Sequence, residues 1–317
     1  MLGAAHARRA APAAGDPAVR SWRLTRPLDL VLTLGPLRHG TGDPTIRLSP
    51  GAAWRATRTP DGPATERAEL RDDVVRVAAW GPGAGWALEA APDLLGEADD
   101  ASAFTPRRPL LAALHRRMPG LRLGRSRAVV EALVPAILEQ KVTGIEARAA
   151  YRLLLRTRGE PAPGPGAALG LRVPPSAAEL AGLPSYALHP LGLERRRAET
   201  LRRSCARADR LESLLALAPA EARGRLMALP GIGPWTAAEV GLRAFGDADA
   251  VSLGDAHLPD LVGWLLAGEP RGDDARMLEL LAPWAGQRAR VIRLLEACGL
   301  REPRFGPRLA ARRIARL

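Results

Sequence analysis

Between Ser21 and about Leu95, apolar and polar positions alternate with a period of two, in TRPLDLVLTL, TIRLS, AAWRATRT and VVRVAAW. Successive side chains of a strand point to opposite faces, so this alternation marks half-buried strands. Pro60, Asp61 and Gly62 supply turn chemistry between two of the runs. The pattern predicts a small, mostly antiparallel sheet followed by a helix over 85–95. Trp22, Trp54, Trp80 and Trp86 fall in this region and are expected to pack in its core and along its edges.

After about Phe104 the period lengthens to three and four residues. Apolar positions then predict helices over 110–117, 128–140, 144–156, 193–206, 220–228, 235–245, 256–267 and 288–298. The Pro/Gly-rich stretch 159–175 reads as a loop, and Ser176 with Glu179 as the capping box that starts the next short helix. The chain therefore reads as α+β, in four parts: a disordered tail over 1–20, a sheet domain over 21–103, a larger helical domain over 104–300, and an extension over 301–317. That extension carries six arginines against one glutamate.

Length and composition narrow the class. A chain of 317 residues can bury two cores. Arginines interrupt every apolar segment before it reaches membrane-spanning length, and the first twenty residues have no apolar signal core, so a soluble cytoplasmic protein with no membrane partner is expected. Cys205 and Cys298 are too few for a disulfide framework, a four-cysteine zinc site or a protein-ligated iron-sulfur cluster. The net charge of +12 points to a polyanionic partner. Of the 46 basic residues all but Lys141 are arginine, in keeping with a composition rich in Ala, Gly and Pro.

The most informative stretch is LPGIGPWTAAEVGLRAFG, 229–246. Gly231 and Gly233 flank one apolar residue between two helical segments. They are expected to take positive φ in a tight hairpin and to expose backbone N–H groups at the start of the next helix, a cradle for a phosphate. Such a cradle holds duplex DNA without reading its sequence. As an ordinary helix-helix turn it would need no function.

LPGIGPWTA resembles the signature of the helix-hairpin-helix DNA glycosylase superfamily, and within it the 3-methyladenine DNA glycosylase II type. The resemblance runs from about Trp22 to Glu296, strongly from the hairpin to the aspartate beyond it and weakly in the sheet. It implies DNA contact by Gly231, Ile232, Gly233 and Thr236, and it places a catalytic aspartate at Asp255, in DADAVSLGDAHLPDL. Local sequence alone favours Asp255 as the N-cap of the helix that follows, and the two roles are compatible. An ionised carboxylate beside C1′ would stabilise the oxocarbenium-like transition state and orient water. Asp260 is expected on the solvent side of that helix.

The same resemblance assigns further residues. Where strand-cleaving relatives carry a Schiff-base lysine this chain has Trp235, which implies a monofunctional enzyme that uses water. Gln140 and Lys141, in ILEQKVTG, match the segment that enters DNA near the flipped base, although related alkylation-repair enzymes often have an apolar side chain there. Trp235 and Trp284 are placed around a pocket whose indole faces suit a cationic alkylated purine, and Trp264 is expected in the core. Tyrosines that line the pocket of some relatives are replaced in the neighbourhoods of Glu239, Ala256 and His257. The implied partner is damaged double-stranded DNA met by a monomer, with no metal or cofactor required and room for a monovalent cation at the hairpin. Alternatives are a glycosylase for an oxidised or deaminated base and a non-catalytic binder of damaged DNA.

Overall fold

The computed structural model describes residues 15–300. The expected N-terminal tail up to residue 14 and the arginine-rich extension over 301–317 lie outside the described residues. Five antiparallel strands form one sheet in the order β1-β5-β4-β3-β2, with β1 Ala18–Arg23, β2 Ile46–Ser49, β3 Ala52–Thr59, β4 Gly62–Arg71 and β5 Val74–Trp80. β1 starts inside the stretch read as tail, and Ala18 already pairs with Ala79. Pro60 and Asp61 make the tight turn from β3 to β4, where Thr59 pairs with Gly62. Two-residue strands β6 Glu160–Pro161 and β7 Arg172–Val173 pair within the stretch read as a loop.

One expected strand is a helix. In TRPLDLVLTL the segment Leu30–Leu34 forms α1, because Asp29 Oδ1 accepts the amides of Val31 (2.8 Å) and Leu32 (2.9 Å) and so caps a helical turn. Pro27, which has no N–H to donate to a ladder, adds to the bias against a strand. α2 Ala84–Leu94 covers the sheet, and α1, α2 and the inner face of the sheet share one core around Leu34, Ile46, Val75 and Leu95.

The remaining helices are α3 Pro109–Arg117, α4 Val129–Leu138, α5 Gly144–Arg158, α6 Ala177–Gly182, α7 Ser185–Leu188, α8 Arg195–Cys205, α9 Ala208–Glu212, α10 Pro219–Met227, α11 Pro234–Phe245, α12 Leu258–Ala267, α13 Asp274–Leu281 and α14 Arg288–Ala297. The capping boxes Thr143/Glu146 and Ser176/Glu179 start α5 and α6. These helices enclose two cores rather than one. The first, around Leu133, Ile137, Leu154, Leu201 and Val240, joins α4, α5, α8, α10 and α11. The second, around Leu111, Val262, Leu281 and Leu295, joins α3, α12, α13 and α14.

A buried ionic cluster ties the sheet to the helices. Arg55 on β3 donates to Glu66 on β4 (3.2 Å) and to Glu131 on α4 (2.6 Å), and Thr57 also donates to Glu131 (2.7 Å). Burial pushes the Glu66 carboxyl up to about 7, against the pull of Arg55. The guanidinium keeps its charge because Glu131 is its nearer partner, with Glu66 second, and the two carboxylates outweigh its desolvation.

Candidate active site beside the hairpin

The hairpin between α10 and α11 is built by two glycines with different jobs. Gly231 sits at φ 91°, in the left-handed region, and a Cβ there would lie 2.4 Å from Thr200 Oγ1 on α8. Gly233 is the N-cap of α11 with φ −99° and ψ −178°, extended backbone open to any residue. The expectation of positive φ therefore holds for Gly231 and not for Gly233. Pro234 opens the helix, and the amides of Trp235 and Thr236 in its first turn have no acceptor inside the helix.

Several side chains assigned to DNA are used internally. Ile232 is buried in the first core. Thr236 is buried and its hydroxyl accepts from Gln140 Nε2 (2.9 Å), which also donates to the carbonyl of Gly231 (3.0 Å). Gln140 thus staples the end of α4 to the hairpin, which would otherwise leave a carbonyl and a hydroxyl unpaired. Lys141 follows it, exposed, at φ 56° in the left-handed region, where a non-glycine residue is strained. That backbone turns the α4–α5 link back on itself and leaves the chain's one lysine at the tip beside the hairpin.

Asp255 lies on the loop that leads into α12. Its Oδ1 accepts the amides of His257 (2.8 Å) and Leu258 (2.9 Å), so it closes the turn that leads into α12, while the N-cap position itself is His257 and not Asp255. Its Oδ2 accepts the indole N–H of Trp235 (3.0 Å). The two residues belong to opposite sides of a seam: Trp235 packs on the first core, whereas Leu253 and Leu258 pack on the second. The side chain of Asp255 remains partly exposed.

Trp284 does not join them. It is 4% exposed in the second core, and its indole N–H is committed to the carbonyl of Thr105 (2.8 Å). An indole with both faces packed offers no surface to a base, so the expected pairing of Trp235 with Trp284 around a pocket is replaced by the pairing of Trp235 with Asp255. Trp264, expected in the core, is only partly buried, and Asp260, expected to face solvent, is half-buried and accepts the amide of Gly272 (2.9 Å). His257 is exposed at the start of α12 and contributes its backbone N–H to Asp255.

A second line of contacts holds the same loop. Glu239, one turn after Trp235 on α11, accepts from Ser252 Oγ (2.5 Å) and pairs with Arg243 one turn further on. Arg243 Nε also donates to the carbonyl of Pro36 (2.8 Å). Burial alone would lower the Arg243 pKa, but the carboxylates of Glu239 and Glu139 outweigh it and hold the guanidinium charged. Burial would raise Glu139, and its hydrogen bond with His39 and the charge of Arg243 bring it below the ordinary carboxylate value instead. Gly254 N donates to Asp274 Oδ2 (2.8 Å) on α13. The spacing 235, 239, 243 on one helix face was readable as a stripe, but nothing in the sequence paired it with Ser252.

Among the described residues no group of His, Cys, Asp and Glu is placed to hold a metal ion, and no helix is long and apolar enough to cross a membrane. Burial pushes the Cys205 thiol up to about 12, so it behaves as an inert core residue.

The sheet with its covering helix and the two helical cores form a fold shared with solved DNA glycosylases. Among solved structures it is similar to the 3-methyladenine DNA glycosylase from Archaeoglobus fulgidus, with a TM-score of 0.70, 19% identity, and coverage of 87% of this chain and 96% of that one. An 8-oxoguanine glycosylase/lyase from Clostridium acetobutylicum, in complex with DNA, matches with a TM-score of 0.66 and 13% identity over 88% of this chain and 93% of that one. No protein-family model matches the sequence. In sequence, 176 residues are 34% identical to the probable bifunctional transcriptional activator/DNA repair enzyme AlkA of Mycobacterium tuberculosis, covering 54% of this chain and 33% of that protein. The chain thus spans about a third of the length of the curated relatives it matches.

Proposed function

We propose that this chain is a monofunctional DNA glycosylase that releases alkylated purines, such as 3-methyladenine and 7-methylguanine, from duplex DNA in base excision repair. The observation that carries the reading is the pair Asp255 and Trp235. A carboxylate stands over the start of α12 with one acceptor position on Oδ2 still open, and the side chain that donates to it is an indole, which cannot form a Schiff base. The chain's one lysine, Lys141, is at the α4–α5 tip instead.

In this reading the hairpin amides and the exposed Arg196 and Arg203 of α8 hold phosphates, and Lys141 meets a phosphate or the orphaned base. The flipped base stacks on Trp235. The bond from C1′ to the purine nitrogen breaks with its electron pair going to the base. The cationic charge of an alkylated purine makes it a good leaving group without a general acid. Asp255 stabilises the sugar cation, and water adds to C1′ and gives its proton to the carboxylate or to solvent. No cofactor is needed.

The test is base release from methylated duplex DNA by the wild type and Asp255→Asn, with strand breaks scored before and after alkali. Release of 3-methyladenine or 7-methylguanine, breaks only after alkali, and loss of release in the variant are expected. Strand breaks without alkali would overturn the monofunctional reading. The likeness in fold to an 8-oxoguanine glycosylase/lyase makes 8-oxoguanine DNA the competing substrate for the same assay. Release of that base alone would displace the alkylation reading, and binding without any release would leave Asp255 a helix cap only.

A further inference from the structure

A carboxylate offers about four acceptor positions. In Asp255 both positions on Oδ1 are taken by the amides of His257 and Leu258, and one on Oδ2 is taken by the indole of Trp235. One position, on Oδ2, is left. The amides belong to the second core and fix the carboxylate to its helix, but rotation about the remaining side-chain bonds would still let Oδ2 swing. The Trp235 N–H comes from the first core, across the seam, and stops that motion.

We propose that Trp235 is a positioning residue, whose indole N–H locks the Asp255 carboxylate so that a single acceptor position faces the sugar and the water. This rests on the glycosylase reading and adds to it a role separate from stacking: the ring that seats the base also aims the carboxylate. The other charged groups around Asp255 do not share the task. Asp274 on α13 binds the Gly254 amide and Glu239 on α11 binds the Ser252 hydroxyl, so both hold the loop and neither holds the carboxylate. The exposed His257 touches Asp255 through its backbone N–H.

Stacking and positioning are separated by removing the N–H and keeping the ring. Trp235→Phe does this approximately. Site-specific incorporation of benzothienylalanine at the same position keeps both rings, replaces the N–H with sulfur, and serves if the phenylalanine variant folds poorly. Two readouts apply. The first is the ¹³C chemical shift of the Asp255 carboxyl carbon in the free protein at one fixed neutral pH, assigned by its absence in Asp255→Asn. Loss of the indole donor is expected to move this resonance, because the hydrogen bond polarises the carboxylate. The second is single-turnover base release, expected to slow roughly tenfold to hundredfold at saturating protein with DNA affinity unchanged, the fold-change that one hydrogen bond to a charged group supplies. An unmoved carboxyl resonance would overturn the proposal. So would a variant that loses affinity while its saturated rate holds, because Trp235 would then serve only to stack. If the wild type releases no base, the glycosylase reading fails by itself and the carboxyl resonance alone decides the positioning role.

Discussion

Replacing Gly231 by alanine should destabilise the protein far more than replacing Gly233, although the two glycines are interchangeable to the eye in LPGIGP. At Gly231 two costs add. The left-handed φ of 91° costs a side chain roughly 1–2 kcal/mol. The new Cβ would also meet Thr200 Oγ1 at 2.4 Å and Cγ2 at 2.8 Å, an overpacking of roughly 1–3 kcal/mol. The sum is roughly 2–5 kcal/mol. At Gly233 the backbone is extended and nothing lies within 4 Å of a Cβ. Alanine there is a poorer N-cap by no more than about 1 kcal/mol and gains a comparable amount from a less flexible unfolded chain, so the net change is near zero. The assay is urea unfolding followed by tryptophan fluorescence. A double-mutant cycle with Thr200→Ala then separates the two terms, because the Thr200 hydroxyl makes only a bond back to Arg196 O (3.0 Å) and is cheap to remove. The cycle should return the overpacking part and leave the backbone part. Equal costs at both glycines, or no recovery in the double mutant, would refute the account of how the hairpin is held.

The Glu66 carboxyl, pushed up to about 7 from an unfolded value near 4.5, makes stability depend on pH. The folded state holds its proton through that window, so this contribution is complete below about 4.5 and is lost as pH rises through about 7, on the order of 3 kcal/mol over the whole range. Glu66→Gln, which stays neutral, should therefore lose less stability than the wild type between pH 5 and pH 8 in urea unfolding. Parallel curves would show that Arg55 keeps Glu66 ionised throughout. Trp284→Phe should lower stability by about 1–2 kcal/mol through the unpaired Thr105 carbonyl and leave base release at 25 °C untouched. A slower release from a variant of unchanged stability would instead return Trp284 to the pocket.

Much of the helical part was legible because its apolar stripes are long and begin with recognisable caps, as at Thr143 and Ser176. α1 was not, because LDLVLTL satisfies both periods and a single cap at Asp29 decides between them. Although the N-cap itself is His257, Asp255 was legible as an aspartate that holds the start of an apolar helix, as its bonds to His257 and Leu258 show. Its partner was not legible, since the contact between Trp235 and Asp255 joins two cores, and no local pattern records which core a tryptophan enters. The same reason hides the burial of Trp284, whose indole answers a carbonyl at Thr105, far away in the chain. The bonds of Gln140 to the hairpin were not legible, because a polar side chain at a helix end looks free until the hairpin that uses it is folded against it.

The seam between the two helical cores has a thermal consequence. The Trp235 to Asp255 bond spans it at 3.0 Å, and a displacement of about half an ångström between the cores already carries it past hydrogen-bonding distance. Neither core has to melt for that to happen. On the proposed function, base release should therefore fall on warming while circular dichroism still records a full complement of helix. On cooling, base release would return as fast as the two cores settle back together.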